Sequence, residues 1–289
     1  MLQDILVTGL VNGGVYALLA IGFSLIFGVA RIVNIAHTGF YMVSAYLLYT
    51  LLNLARLNFF LSFLLAVAAV TLLSVICYKL VIEPVRQHEA AVLIATIALG
   101  LIFQESLLRI FGGHFRGNPA ILEGAVEIAG VSVSYQQLLT LAVVAVVLIA
   151  TWLLLHHTRL GLAIRATAND LEVANLMGMN VHRVAMLTVA ISAMLAAVAG
   201  AVVAPLIVVD PFMWLSPLIT VLAVVVLGGL GSIKGSMIGA FIIGYAEVLT
   251  VFLVPTGAFL KGAVSLSIMV IVLLLRPEGL FGVAFEEER

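Results

Sequence analysis

Charge is what this sequence has least of. Asp, Glu, Lys and Arg make up 9% of its 289 residues and hydrophobic residues 64%, where a soluble domain carries about 25% charged and about 45–50% apolar residues. A water-soluble fold of this composition would expose broad apolar patches and aggregate. The mean hydropathy of +1.29 points to the alternative, a chain whose solvent is the bilayer. Cysteine is nearly absent too: Cys77 stands alone, so there is no internal disulfide and no cysteine zinc cluster. Neither His-Glu-x-x-His nor paired intramembrane aspartates occurs, and nothing pairs a nucleophile with a base at helical spacing. No basic stripe offers a footing to nucleic acid, and the net charge is −1. The phosphate loop Gly-x-x-x-x-Gly-Lys-Ser/Thr is missing as well. Its nearest echo, Gly228-Gly229-Leu230-Gly231-Ser232-Ile233-Lys234-Gly235-Ser236, has Lys before Gly and lies between hydrophobic spans.

What is present is a succession of long apolar runs. Crossing the hydrocarbon takes about 20 residues of helix at about 1.5 Å each. Such runs fall near 5–29, 35–54, 59–81, 91–111, 135–155, 184–206, 216–231, 236–254 and 260–275. The glycine-rich centre of 216–254 reads as a short loop or a re-entrant break, so the count is about eight or nine. A β-barrel needs alternating polar and apolar residues, and Val270-Ile271-Val272-Leu273-Leu274-Leu275 does not alternate. The expected fold is therefore an all-α polytopic bundle, a single membrane domain over 1–289. Met1-Leu2-Gln3-Asp4 lacks the basic start of a cleavable signal, so 5–29 reads as a retained first span.

Orientation follows from the basic residues. With nine spans and the N-terminus outside, Arg31, Lys79, Arg86, Arg159, Arg165, Arg183, Lys234, Arg276 and Arg289 face the cytoplasm, while Arg56, Arg109, Arg116 and Lys261 stay outside. The C-terminus is then cytoplasmic. Two interruptions stand out. An outer loop over about 112–134, with Gly112-Gly113, Gly117, Pro119, Gly124 and Gly130, reads as turns with a short hairpin. An inner, basic loop covers about 156–183.

Within the inner loop, Asn169 followed three residues later by Glu172 is a capping-box spacing. Gly178 sits where a helix ends in a left-handed turn. The spacing predicts an isolated helix of about two turns, with Asp170 in its first turn and Leu171, Ala174 and Met177 or Gly178 sharing a face. That face is too small to bury itself. It either packs back on the membrane domain or docks on another protein.

These residues resemble a known pattern. ABC importer permeases carry a cytoplasmic loop of Glu-Ala-Ala, three residues, then Gly, which seats on the ATPase subunit. Here Glu172-Val173-Ala174, three residues and Gly178 keep the spacing, with Val173 replacing the first alanine. Ala168-Asn169-Asp170-Leu171 and Met179-Asn180-Val181-His182-Arg183-Val184 around it are similar to the branched-chain amino acid permease family of the LivH type. So are Asn12-Gly13-Gly14-Val15-Tyr16-Ala17-Leu18, Asn34-Ile35-Ala36-His37 and Leu275-Arg276-Pro277-Glu278-Gly279-Leu280-Phe281-Gly282. The resemblance covers essentially the whole chain. It implies an inner-membrane permease subunit that is not itself an enzyme and binds no cofactor. Its partners would be a second related permease, two cytoplasmic ATPases holding ATP and Mg, and a periplasmic substrate-binding protein. The implied cargo is leucine, isoleucine or valine, with urea or short amides as the alternative within the family. A self-sufficient secondary transporter or channel is the reading from another class, and would need intramembrane charges such as Glu247 or Glu105 and Arg109.

Polar residues at membrane depth usually face protein or a water-filled path. Asn12, Asn34, His37 and Tyr41 are the candidates for lining such a path, each with an interhelical hydrogen bond as its plainer alternative. A metal role for His37 finds no second ligand clustered near it. Glu105 and Arg109, spaced i, i+4, are expected to neutralise each other, with an outer-vestibule role as the alternative, and Asp210-Pro211 to cap the following segment or touch the binding protein. Small residues at four-residue spacing let helices approach closely in lipid. Gly231, Gly235 and Gly239 form one such ridge; Ser192, Ala196, Gly200 and Ala204 form another. Each serves packing within the chain or the contact with the second permease.

Overall fold

The computed structural model describes residues 2–122, 124–128 and 131–282. Gly130 and Arg289, both used in the sequence reading, lie outside the described residues. Helix α1 (Leu2–Ala30) runs for 29 residues and ends where Arg31 takes the left-handed φ of 53°. α2 (His37–Tyr49) extends through a π-helical turn, Thr50–Leu54. Asn58 caps α3 (Phe59–Cys77), accepting from the Leu61 amide at 2.9 Å. α3 then continues through π-helical Tyr78–Ile82 and the 3-10 turn Glu83–Val85. After α4 (Glu89–Phe111), strands β1 (Ala125–Ile128) and β2 (Val131–Ser134) form an antiparallel pair in which Val126 faces Val133. α5 (Tyr135–His157) starts on a Ser134–Gln137 capping box. α6 (Arg159–Asn169) and the short α7 (Leu171–Leu176) follow, then α8 (Val181–Val203), α9 (Leu215–Gly228), α10 (Ile233–Leu253) and α11 (Gly257–Leu275).

Each of the nine apolar runs is a helix. Seven are long and apolar enough to cross a membrane by themselves, namely α1, α3, α4, α5, α8, α10 and α11. α2 and α9, at 13 and 14 residues, are shorter, about 20 Å at the α-helical rise. The glycine-rich centre of 216–254 is a tight turn: Gly229 and Gly231 have φ of 97° and 82°, and α10 starts two residues later. The inner loop departs more from expectation, because 159–169 is itself helical, so α7 does not stand alone.

α1 and α8 form the middle of the bundle. The most apolar stretch of α1 is 78% buried and that of α8 72%, against 6% for α11. The outer helices turn Leu72, Ile94, Ile149 and Leu274 outward, which in water would be a liability and in lipid is the stable arrangement. The two ends of the bundle are distinct. At one, the α9–α10 turn lies against Gly28 of α1, and Leu280 and Phe281 donate to the carbonyls of Leu227 and Gly228 at 2.8 and 3.1 Å. At the other, Arg116 pairs its backbone with Val209 and donates to the Tyr49 hydroxyl at 3.0 Å and the Phe111 carbonyl at 2.7 Å.

Two expectations at that second end resolve locally. Asp210 Oδ1 accepts from the Phe212 amide at 2.8 Å, capping the turn before α9. Glu105 and Arg109, by contrast, form no ion pair among the described residues; the Glu105 carboxylate accepts instead from the Gln104 amide at 3.3 Å. Both are exposed.

Candidate functional site

The hook formed by α6 and α7 is built from three caps in sequence. Thr158 accepts from the Gly161 amide at 3.0 Å. Asp170 Oδ1 accepts from the amides of Glu172 and Val173, both at 2.9 Å. Asn180 Oδ1 accepts from the Arg183 amide at 3.0 Å. The cap of α7 is thus Asp170, not Asn169: Asn169 is the last residue of α6, and its backbone is already committed to that helix. The change of cap leaves the helix faces where the residue spacing sets them; packing against the domain decides which of them is buried.

Ala174 points into the domain, 2% exposed, while Leu171 is 39% exposed. The outward side chains are Leu176 at 86%, Met177 at 77% and Val173 at 52%. Glu172 is exposed beside them. Gly178 closes the helix with φ of 81°. The Met179 amide donates to the Ala174 carbonyl at 3.1 Å and the Gly178 amide to that of Asn175 at 3.0 Å. This pair of bonds is the Schellman closure, and its left-handed residue is why glycine stands there. Replacing the cap, Asp170→Ala, is expected to cost about 1 kcal/mol locally. Hydrogen exchange should then speed up at the Glu172 and Val173 amides and stay unchanged in α8; equal exchange at those two amides would refute the cap.

Between α7 and the bundle lies a groove of about 710 Å³, bordered by Ile32, Tyr78, Arg86, Asn175, Asn180 and His182. His182 Nδ1 sits 2.5 Å from Glu83 Oε1, joining the start of α8 to the end of α3. The hook itself packs through α6 against α1, α5 and α8. The Glu83 contact had no signal in the sequence, since the two residues are far apart along the chain.

The polar residues at depth occupy different surroundings. His37 is fully buried. Its Nε2 lies 3.0 Å from the Leu19 carbonyl, which can only accept, so Nε2 carries the proton. Nδ1, 3.3 Å from Ser192 Oγ, then accepts from that hydroxyl. One neutral imidazole ties α1, α2 and α8 together, its ring edge-on to Phe23. Tyr41 is 4% exposed, and its backbone carbonyl lies against Gly200, where an added Cβ would collide with it. Ser44 Oγ donates to the Ala197 carbonyl at 2.7 Å along the same α2–α8 contact. Ala196 is fully buried in that contact. Asn34 is 2% exposed and its Oδ1 has no partner among the described residues. Asn12 is half-buried on α1 with its backbone beside Gly244. Asn34, His37 and Tyr41 share the start of α2 and the loop before it; Asn12 stands apart, on the α10 side of α1.

The glycine ridge also packs within the chain. Gly235 lies against Gly228 and Gly239 against the Val224 carbonyl, bringing α10 onto α9. Gly231 belongs to the preceding turn rather than to the helix, and faces Gly28.

A polytopic helical bundle with a short, greasy-tipped hook at one end is the build of a membrane transport subunit. Residues 5–273 match the family model described as branched-chain amino acid transport system / permease component. The permease protein BraD of the high-affinity branched-chain amino acid transport system of Pseudomonas aeruginosa is 32% identical, the match covering 96% of this chain and 94% of that protein. The corresponding LivH of Escherichia coli is 30% identical over 95% of this chain and 93% of its own length. A solved structure, PsaBC from Streptococcus pneumoniae in complex with Fab, shares the fold at a TM-score of 0.52 and 19% identity, covering 95% of this chain and 92% of that one. The chain belongs to the branched-chain amino acid transport permease family.

Proposed function

We propose that this chain is the inner-membrane permease subunit of an ATP-driven importer and forms, with a second related permease, the path for leucine, isoleucine and valine. Membership of the permease family over 5–273 carries the reading. The hook supports it: Leu176 and Met177 are presented to solvent at the end of the bundle that also gathers Arg31, Arg86, Arg165 and Arg183. Basic residues mark the cytoplasmic side; on this reading α7 faces an ATPase subunit and the N-terminus lies outside. A periplasmic binding protein delivers substrate at the opposite end. ATP and Mg stay on the ATPases. Asn34, His37 and Tyr41 belong to the α1–α2–α8 junction and border the path when the two permeases rock apart; Asn12 borders it from the other flank of α1.

The test is reconstitution of the chain with its second permease, ATPases and binding protein in proteoliposomes. Uptake of labelled leucine, isoleucine and valine should require ATP and the binding protein, with unlabelled urea failing to compete. Uptake of urea or a short amide in place of the three amino acids would move the substrate assignment. Flux without ATP would overturn the class.

A further inference from the structure

Glu247 sits on α10 with 1% exposure, inside a stretch that reads as membrane-spanning. Both of its oxygens are engaged. Oε2 accepts from the Tyr16 hydroxyl at 2.7 Å; Oε1 accepts from Thr220 Oγ1 at 2.9 Å and from Ser265 Oγ at 2.5 Å. Those three donors come from α1, α9 and α11. Setting a carboxylate at this depth is costly, and an apolar residue of similar volume would fill the space without that cost. What the carboxylate adds is direction. Three hydroxyl donors converge on its two oxygens and fix three neighbouring helices to α10.

A second observation concerns the same helices. α1 and α10 run antiparallel in contact over nearly their full lengths: Gly9 faces Tyr245, Gly13 faces Gly244 and Phe241, Ser24 Oγ is 2.5 Å from Ser236 Oγ, and Gly28 faces Gly231. At Gly244 an added Cβ would come within 2.8 Å of the Gly13 backbone. Backbones this close have no side-chain cushion to slide over, so the contact permits one arrangement or separation. α9 is held to α10 in the same manner, through Gly228 and Gly235.

We propose that Glu247 is a positioning residue: by clasping Tyr16, Thr220 and Ser265 it holds α1, α9, α10 and α11 as one rigid body that turns as a unit during alternating access. This rests on the importer reading above. The contacts that remake themselves between states then lie outside this group, and the α1–α10 contact stays closed throughout the cycle.

Cysteines placed at the Ser24–Ser236 contact read this directly. With Cys77→Ala as background, Ser24→Cys and Ser236→Cys are oxidised by copper phenanthroline in membranes holding the whole complex, once without nucleotide and once with ATP and vanadate. Equal cross-linking in both states is expected, and the oxidised transporter should take up substrate as fast as the reduced one. Cross-linking in only one state, or loss of uptake on oxidation, would mean that α1 and α10 separate and would overturn the proposal. Adding Glu247→Leu is expected to lower the early cross-linked fraction about tenfold, equivalent to about 1.4 kcal/mol of clasp, and to lower uptake while ATP hydrolysis continues. Glu247→Gln, which keeps an acceptor oxygen, should restore much of both. If Glu247→Leu fails to accumulate in the membrane, Thr220→Val with Ser265→Ala removes the Oε1 donors alone and should lower cross-linking in the same direction. Wild-type cross-linking in the Leu or double variant would refute the clasp. The cross-linking readouts stand even if the complex showed no ATP-dependent uptake, in which case the importer reading fails by itself.

Discussion

A chain carrying Leu176→Glu and Met177→Glu is expected to fold and insert normally yet purify without ATPase subunits. Neither side chain supports the membrane domain, since they are 86% and 77% exposed. Burying a Leu or Met in a partner's pocket contributes about 1.5–3 kcal/mol each. Losing both, and confronting the pocket with two carboxylates, should weaken the association by at least about a hundredfold. Affinity purification from native membranes, with the captured subunits identified by mass spectrometry, gives the answer. The same purification applied to Gly178→Trp separates conformation from contact. No atom lies near enough to obstruct a Cβ at Gly178, so the penalty there comes from the φ of 81°. A left-handed conformation costs a side-chain-bearing residue about 1–2 kcal/mol. Gly178→Trp should thus distort the end of α7 and reduce capture. Full recovery of two ATPases from the Leu176→Glu, Met177→Glu chain would remove the hook from the coupling surface altogether.

The second large effect is expected from one substitution made at two glycines. At Gly200 on α8, an added Cβ would run into the Tyr41 carbonyl of α2, a backbone atom that cannot swing aside. Gly200→Ala must therefore push the two helices apart at the most buried contact of the bundle. Overpacking of this kind costs about 1–3 kcal/mol, and the His37–Ser192 and Ser44–Ala197 hydrogen bonds along the same contact would stretch with it. Gly262→Ala on α11 meets nothing within 4 Å. It should instead stabilise by about 0.5–1 kcal/mol, because glycine in a helix interior carries excess backbone entropy in the unfolded chain. Thermal unfolding of the two variants in one detergent should move in opposite directions from wild type. A midpoint for Gly200→Ala at or above that of wild type would show that α2 and α8 are not packed through Tyr41 and Gly200.

Seven of the nine apolar runs were legible as spans because hydrocarbon imposes its length on any segment that crosses it, whatever the neighbours are. The short hairpin in the outer loop was legible too, from Val131-Ser132-Val133-Ser134 alternating beside glycines. α6 was harder to see. Arg159–Asn169 has no apolar run and gains its order from Gly161, Ile164 and Thr167 turning inward against the bundle. Overlooking α6 displaced the cap of α7 by one residue. The spacing grouped Leu171, Ala174 and Met177 on one face and left open where it packs; the structure buries Ala174 and exposes Leu176 and Met177. The i, i+4 spacing of Glu105 and Arg109 permits a pair without requiring one, and the Glu105 carboxylate takes the adjacent Gln104 amide instead.

For the functional residues the division is similar. The spacing from Glu172 to Gly178 and the run of family-like segments are linear patterns, readable in any order of folding. His37 bonding to Leu19 and Ser192, Glu83 meeting His182, and Glu247 gathering Tyr16, Thr220 and Ser265 join residues between 18 and 231 positions apart. By itself the sequence determined that this protein lives in a bilayer, that it is helical, which family it resembles and that its hook ends at Gly178, because each of these depends on composition or on neighbours along the chain. Which face the hook presents, which glycines meet which backbones and where a buried carboxylate finds its donors were decided by the tertiary structure. Those contacts depend on how one helix is rotated against another, and a rotation of about 100° per residue is set by packing across the whole bundle.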